Sequence, residues 1–361
     1  MTISDAEIID LVRAVLKLSP KTPVRLIPLP KRGSDRSYWR VSYGNEKTVI
    51  FMQYAPTRRE NNYYVTIAGF LETIGISVPR IIFHEEARHF ILMEDVGYMD
   101  LYALRNASWK VRREHYCKAL EMVGRLHRFP VSEFPAEQVP LMESFGPTLY
   151  RWERDYFLEN FVLAVCAIKL DLPESVRIEK ELSCLAERLQ EVSVGLIHRD
   201  FQSQNIMIQK EQPVFIDFQG MRFGNFFYDL GSLLYDPYVD FTEGKRMELL
   251  EYYYFLSDRR IRWASFKEMF REASAQRLMQ ALGAYGFLGL KKGHTDFLEH
   301  IHHALHNLLE ITAQTKRMPL LGLLAKKCEA SLSGRNMQQT RNIHLAKEES
   351  GREPHFKQQK F

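Results

Sequence analysis

Cysteine is scarce in this sequence, and no two of its four cysteines form a C-x-x-C pair. This spacing excludes a zinc ribbon and a dithiol redox centre, and the low number fits a reducing compartment. The longest apolar run, residues 161–168, is too short to cross a bilayer. The amino-terminal segment is acidic and lacks the pattern of a signal peptide. We therefore expect a cytoplasmic protein without a membrane partner.

A strong excess of either charge is also missing. Lys and Arg total 49 against 45 Asp and Glu, which gives a net charge of +4 spread along the chain. A nucleic-acid-binding protein usually has a concentrated basic stripe, so we expect no nucleic-acid partner. Glycine and proline are too few for a fibrous or low-complexity chain. The 12% of aromatic residues predicts instead a globular protein with sizeable cores.

Hydrophobic periodicity divides the chain into two parts and a tail. Residues 1–96 combine a capped helix near the start, strands at 24–29, 38–43, 48–53, 78–83 and 89–94, and a helix at 59–74. Residues 97–330 are mostly helical, at 112–128, 147–169, 174–191, 244–257, 266–288 and 297–330, with a strand-rich interruption at 195–217. Residues 331–361 contain few apolar side chains and are predicted to be a disordered tail, with a docking arm as the alternative.

The strand-rich interruption contains the residues that indicate chemistry. A short apolar stretch is followed by His-Arg-Asp, whose last residue is Asp200, and Asn205 lies five residues further on. A hydrophobic hairpin then leads to Asp217. Phosphoryl transfer from ATP needs a carboxylate that accepts the acceptor's hydroxyl proton and oxygen ligands that hold Mg²⁺ on the phosphates. We therefore predict Asp200 as the catalytic base and Asn205 with Asp217 as metal ligands. A plain surface loop is the alternative, but the joint spacing favours the kinase pattern.

This segment resembles the catalytic loop of the aminoglycoside phosphotransferase and choline kinase-like family. The resemblance is carried by the loop, by Phe218-Gln219 after the second Asp, and by the stretch from Tyr228 to Leu234. It implies an α+β, protein-kinase-like two-lobed fold: a small antiparallel-sheet lobe at 1–96 that binds nucleotide, and a mainly helical lobe at 97–330 for catalysis and acceptor binding. It also implies that His198 and Asp229 support the loop rather than react.

Three further stretches resemble one subgroup, the cell-wall-recycling kinases that phosphorylate the anomeric hydroxyl of N-acetylmuramate and N-acetylglucosamine. These are residues 33–40, residues 92–97, and Gln276-Arg277 ahead of a helix rich in Leu, Ala and Gly. The resemblance implies a small-molecule hydroxyl acceptor, an amino sugar, and a pathway link to a sugar-1-phosphate nucleotidyltransferase. Aminoglycosides and amino alcohols remain alternative acceptors.

The nucleotide is expected to contact two places in the first lobe. Gly33, Ser34 and Arg36 lie in the turn after the first strand, where backbone N–H groups could cradle phosphate. A plain hairpin turn is the alternative there. Glu94 and Val96 end the sheet-rich part, and the resemblance makes them the hinge that meets adenine.

A lysine that grips the phosphates is expected on the third strand of a kinase, and residues 49–53 contain none. Lys47, Arg36, Arg58 or Arg59 could supply that cation. The absence also supports an alternative function, a nucleotide-binding pseudokinase or scaffold, against which the complete set of Asp200, Asn205 and Asp217 argues.

The acceptor is expected at the start of the helix predicted from residue 147. Glu153 and Asp155 could hydrogen-bond a sugar there, and neighbouring aromatic rings could stack on it. An amphipathic core helix with an exposed charged face is the alternative.

Overall fold

The computed structural model describes residues 3–30, 36–192, 194–257 and 260–350, with side chains described up to Gly334. Its strands are β1 (Val24–Pro28), β2 (Ser37–Tyr43), β3 (Lys47–Gln53), β4 (Ile81–Glu85), β5 (Phe90–Glu94), β6 (Val194–Ile197), β7 (Ile206–Gln209), β8 (Gln212–Phe215) and β9 (Arg222–Asn225). Its helices are α1 (Asp5–Leu16), α2 (Tyr64–Thr73), α3 (Trp109–His127), α4 (Pro147–Phe157), α5 (Leu172–Gln190), α6 (Phe227–Leu234), α7 (Glu243–Leu256), α8 (Trp263–Gly286), α9 (Ile301–Ala313) and α10 (Pro319–Ser350).

The first lobe is an antiparallel sheet of five strands in the order β1-β2-β3-β5-β4. Helix α1 begins at the predicted capping box, in which Ser4 and Glu7 each accept a hydrogen bond from the other's backbone N–H. Ile8 and Val12 on this helix pack into a small core with residues of one face of the sheet, among them Phe51. This core fixes β3 and β5, whose other face, including Met52 and Ile91, packs into the large core.

The second lobe is mainly helical, with α8 at its centre. Helix α8 packs against α4, α6 and α9, and the short pairs β6–β9 and β7–β8 lie between the helices and the first lobe. The predicted α+β, kinase-like architecture is therefore confirmed. In the described ranges, none of the helices is both long and apolar enough to span a membrane.

Several element boundaries differ from the sequence prediction. The helix predicted at 147–169 ends as an α-helix at Phe157 and continues as a π-helix over Leu158–Leu163. The helix predicted at 297–330 divides into α9 and α10, because Pro319 cannot continue a helix but can begin one. Strand β9 was not predicted. Within the stretch predicted to be rich in strands, the segment between β6 and β7 is a loop.

Helix α10 continues through the boundary predicted at residue 331. Residues 331–350 are helical where composition predicted disorder, because a helix that is already formed can extend through good helix-forming residues without a new nucleus. Residues 351–361 lie outside the described residues. The division into 1–96, 97–330 and a separate tail otherwise stays a prediction.

Candidate active site

The loop that contains Asp200 is held by a buried carboxylate. Asp229, at the start of α6, accepts hydrogen bonds from the backbone N–H groups of His198 at 2.7 Å and Arg199 at 2.8 Å. Its Oδ2 also lies 3.0 Å from Nε2 of His127. Arg199 has a φ of 79°, a conformation that costs energy for a non-glycine residue. The Asp229 carboxylate stabilises this turn and so sets the direction of Asp200.

His198 completes the support of the loop. Its side chain is buried, with Nε2 3.0 Å from the carbonyl oxygen of Ile216 and the ring packed between Phe201 and Phe215. This contact joins the catalytic loop to the segment that precedes Asp217. The structure therefore places both His198 and Asp229 in contact with the loop or its neighbouring segment, and their supporting role stays a prediction.

Two arginines surround the Asp200 carboxylate. Arg199 Nη1 lies 2.6 Å from Oδ2, and Arg277 Nη2, from α8, lies 3.6 Å from Oδ1. Burial acts to raise the pKa of Asp200, but the charges of Arg199 and Arg277 outweigh it and lower the pKa to about 2. Asp200 is therefore an ionised hydrogen-bond acceptor at neutral pH, and its side chain remains 26% exposed.

Asn205 and Asp217 face the same region from two connected segments. Asn205 donates a hydrogen bond from Nδ2 to the carbonyl oxygen of Asp200 at 2.9 Å. Its own carbonyl accepts the N–H of Ile216 at 3.0 Å. Asp217 follows directly, with a φ of 61° and a side chain that is 33% exposed. The loop and the end of β8 thus bring the three predicted residues into one site.

The oxygen ligands of this site suit Mg²⁺. One carboxylate and one amide oxygen are hard ligands, and magnesium in nucleotide sites is usually held by one or two such groups together with phosphate oxygens. Within the described ranges, no group of three or more His, Cys, Asp or Glu could hold a metal by itself. Asn205 and Asp217 therefore fit a metal that arrives with a nucleotide better than a permanently bound one.

Arg36 is the cation, among those considered from the sequence, that lies beside Asp217. It precedes β2, is buried, and donates from Nη2 to Oδ1 of Asp217 at 2.6 Å, across the two lobes. Lys47 is exposed at the start of β3, Arg58 pairs with Glu60, and Arg59 contacts Tyr63. Of the cations considered from the sequence, Arg36 is the one placed beside a predicted metal ligand. Gly33 and Ser34 lie outside the described residues.

The hinge is braced by an ion pair that the sequence did not reveal. Asp95 accepts from Nε of Arg40 at 2.5 Å and from Nη2 at 2.9 Å, and Arg40 also donates to the carbonyl oxygen of Gly97 at 2.7 Å. Burial opposes the charge of Asp95, but the hydrogen bonds from Arg40 lower its pKa overall. Arg40 lies on β2, so this Arg40–Asp95 clamp, an ion pair, fixes the sheet relative to the proposed hinge at residues 94–97. A lone Arg on a strand carries no sequence signal for such a role.

The two hinge residues predicted to meet adenine have different surroundings. Glu94 accepts a hydrogen bond from Nε2 of Gln209 at 3.0 Å, so its carboxylate faces the β7–β8 hairpin. Val96 is buried in a small apolar cluster with Met207 and Val214. Val96, Met207 and Val214 together offer an apolar surface of the kind that suits a flat aromatic base.

The two residues predicted to bind the acceptor lie on different faces of α4. Glu153 is fully buried, and its two oxygens accept hydrogen bonds from the hydroxyl of Tyr228 at 2.8 Å and from Nε2 of Gln276 at 2.9 Å. Burial raises its pKa. Asp155 is 59% exposed and pairs with Arg154. The structure does not bring the two carboxylates together.

Sequence reasoning missed the roles of Arg277 and Asp236. Arg277 was noted only as part of a resemblance, yet it lies beside Asp200. Asp236 is fully buried and accepts the N–H of Ser203 at 2.8 Å, which holds the second half of the catalytic loop. Both are distant from the loop in sequence, so only the tertiary fold shows their position.

Comparison with known proteins places these features in a wider group. Residues 25–266 match the phosphotransferase enzyme family. An N-acetylmuramate/N-acetylglucosamine kinase from Pseudomonas aeruginosa is 23% identical over 84% of this chain and 88% of its own length. One of the same name from Neisseria meningitidis serogroup B is 22% identical over 81% and 87%.

Solved structures share the fold. A choline kinase from Cryptosporidium parvum superposes with a TM-score of 0.60 at 15% identity, covering 88% of this chain and 98% of that one. An ADP-bound aminoglycoside phosphotransferase gives 0.56 at 14% identity, covering 85% and 99%. At these identities the likeness concerns the fold.

Proposed function

The chain belongs to the phosphotransferase enzyme family, and we propose that it is a kinase that transfers the γ-phosphate of ATP, bound with Mg²⁺, to a hydroxyl of an N-acetylated amino sugar. The observation that carries this proposal is the convergence of Asp200, Asn205 and Asp217 on a loop held by Asp229. A carboxylate, an amide oxygen and a second carboxylate in this order supply what phosphoryl transfer requires of a protein.

Asp200 is proposed to orient the acceptor hydroxyl and to accept its proton. With a pKa of about 2 it is a weak base, so the proton moves late, when the new O–P bond has made the hydroxyl acidic. The acceptor oxygen bonds to the γ-phosphorus, the bond to the β-phosphate oxygen breaks, and ADP leaves. Asn205 and Asp217 would hold Mg²⁺, which neutralises charge on the phosphates.

Arg36 is proposed to bind the ATP phosphates in place of the lysine that is missing from the third strand. Its guanidinium is already beside Asp217 and can form two parallel hydrogen bonds to phosphate oxygens. Glu94 and Val96 are proposed to hold the base through their backbone groups, and Gly33 and Ser34 to contact phosphate.

The acceptor is proposed to be an uncharged or anionic sugar. Arg199, Arg222 and Arg277 lie within the electrostatic environment of Asp200, and burial together with Arg199 lowers the pKa of Arg222. Such a positive environment disfavours a polycationic aminoglycoside. The names of the relatives from Pseudomonas and Neisseria also support an amino sugar. Of the two carboxylates considered from the sequence, the exposed Asp155 remains a proposed acceptor contact, whereas Glu153 is fully buried and both of its oxygens already accept hydrogen bonds.

The place of the reaction follows from its chemistry. If the anomeric hydroxyl is the acceptor, the product is a sugar 1-phosphate, which a nucleotidyltransferase would consume. All four cysteines are unlinked, and ATP is the donor, so we place the protein in the cytoplasm.

An ADP-release screen of the purified protein across N-acetylhexosamines, aminoglycosides and amino alcohols tests the function. We expect turnover with N-acetylglucosamine or N-acetylmuramate and a phosphorus NMR signal of an anomeric phosphate. Turnover confined to aminoglycosides or amino alcohols would contradict the acceptor. Tight binding of Mg²⁺–ATP without ADP release for any acceptor would favour the pseudokinase alternative.

A further inference from the structure

Two stacked aromatic rings lie at the surface of the second lobe. Trp152 and Tyr156 are one turn apart on α4, and their ring centroids are 4.8 Å apart with planes 15° from parallel. Trp152 remains 49% exposed, although an aromatic ring of this size gains much from burial. We call these two residues the aromatic shelf. An exposed, ordered pair of rings is a surface that can bind the apolar face of a ligand.

The shelf is fixed in position by close contact between α4 and α8. A Cβ atom on Gly283 would lie 2.9 Å from Cδ1 of Tyr156 and 3.0 Å from its carbonyl oxygen. The ring of Phe287 also packs on Tyr156, with centroids 5.8 Å apart. Because the backbones of the two helices meet at this glycine, Tyr156 has little room to move. Binding on such a surface costs little ordering of side chains.

The same helix connects the shelf to the catalytic carboxylate. Arg277, whose Nη2 lies 3.6 Å from Asp200, precedes Gly283 by six residues, or about 9 Å along the axis of α8. Burial raises the pKa of Tyr156 to about 12, while the charge of Arg199 acts in the opposite direction. Arg199 is itself bonded to Asp200, so one guanidinium acts on both Tyr156 and the proposed base. The shelf and the proposed base are thus connected through α8 and through Arg199.

Charge distinguishes between two classes of ligand that the aromatic shelf could bind. Exposed rings attract cations, so an amino alcohol could in principle occupy the shelf. The guanidinium of Arg199 acts on Tyr156 against such a cation, although the Glu159 carboxylate acts on the same ring in the opposite sense. Tyr228 and Gln276 already bind the two oxygens of the buried Glu153, so this carboxylate is not available to a cation. The C–H face of a pyranose is apolar and uncharged, and it meets no such repulsion.

We propose that the aromatic shelf binds the C–H face of the acceptor's pyranose ring and selects sugar acceptors over amino alcohols. This inference rests on the proposed kinase function. Stacking on the ring is the same before and during phosphoryl transfer, so it contributes to acceptor affinity rather than to the chemical step. The kinetic signature is therefore a change in the acceptor KM with little change in kcat.

Trp152→Leu tests this role, because it removes the ring and keeps an apolar side chain at a half-exposed position. We expect the KM for N-acetylglucosamine to rise about tenfold, as loss of one stacked ring contact implies, with kcat and the KM for ATP unchanged. Trp152→Phe keeps an aromatic ring, so its KM for N-acetylglucosamine should lie between those of the wild type and Trp152→Leu. Phe255→Leu, at an exposed aromatic residue on α7, is the matched control and should match the wild type.

Saturation-transfer NMR gives a second measurement without turnover. In the wild type, protons on one face of the sugar should receive saturation, and Trp152→Leu should lose most of it. An unchanged acceptor KM and NMR pattern in Trp152→Leu, with an active wild type, would overturn the shelf alone. A changed sedimentation coefficient with an unchanged KM would show that the shelf contacts a second copy and would overturn it too. A wild type that phosphorylates no sugar would overturn the proposed function, and the shelf with it.

Discussion

Arg36 and Asp217 form an ion pair of 2.6 Å that joins the two lobes at the predicted metal ligand. Both residues lie outside the regular strands, Arg36 directly before β2 and Asp217 directly after Ile216. Burial disfavours the charge of Arg36, but the neighbouring Asp217 carboxylate outweighs it and raises the pKa of the guanidinium, which stays charged. This contact places a positive charge beside the proposed metal ligand, in a lobe whose third strand contains no lysine at residues 49–53.

Removal of this charge should weaken nucleotide binding. Arg36→Met is expected to lower kcat/KM for ATP about 100-fold, because a charge-assisted contact to phosphate is lost. Arg36→Lys keeps the charge without the fork and should lose less. The control is Arg58→Met, at an exposed residue that pairs with Glu60. Equal KM values for ATP in Arg36→Met and wild type would show that another cation binds the phosphates.

Asp200 and Asp217 should respond differently to the same substitution. Asp200→Ala should keep Mg²⁺–ATP binding and reduce turnover by about 10²–10⁴-fold, the usual contribution of a general base. Asp217→Ala should lose a metal ligand, so nucleotide affinity and turnover fall together, and Asn205→Ala should do the same more mildly. Calorimetric titration with turnover measures both. The reverse pattern would exchange the two roles.

Asp229 should matter for stability as well as for rate. In Asp229→Asn, an amide N–H₂ would face the donors of His198 and Arg199, so we expect a fall in Tm of about 5 °C or more and a lower kcat. Asp240→Asn is the control, because Asp240 is almost fully exposed. Scanning calorimetry measures the stability. An unchanged Tm and kcat would mean that the loop holds its turn without this carboxylate.

The pH profile should show the effect of the arginines on Asp200. A folded pKa of about 2 lies below the ordinary value near 3.9, so the ionised form contributes stability that is present above pH 4 and is lost as the pH falls toward 2. Between pH 5 and 8, kcat should not show an acid limb from this group. Arg277→Gln removes one positive neighbour and should move the acid limb to higher pH. An identical profile for both proteins would contradict the coupling.

The end of the chain should be dispensable beyond Gly334. A chain shortened after Gly334 keeps Ser331, whose Oγ donates to the carbonyl oxygen of Cys166 at 2.7 Å, and Leu332, which packs on the core. It should retain full activity and Tm. A chain that ends at Ala330 loses both contacts and should melt at a lower temperature with little change in kcat. A large loss of activity in the first chain would show that the tail reaches the site.

Local sequence spacing predicted the catalytic loop because its residues lie close together in the chain. Asp200 and Asn205 lie in one loop, the short β7–β8 hairpin separates Asn205 from Asp217, and the residue types alone limit what they can bind. Arg277, Asp236 and the Arg40–Asp95 clamp join segments far apart in sequence, so no local pattern marks them. Helix ends were predicted least well, because the π-helix after Phe157 depends on packing against α8.

The glycine contact between α4 and α8 has a consequence for how this protein could acquire new substrates. A Cβ on Gly286 would come within 2.2 Å of the carbonyl oxygen of Asn160, and Gly283 is almost as crowded. A larger side chain at either glycine would force the two helices apart, so both positions should keep glycine while this packing is retained. Adaptation to another acceptor should instead proceed by substitution of side chains around the acceptor site, while the backbone of these two helices stays the same in related proteins.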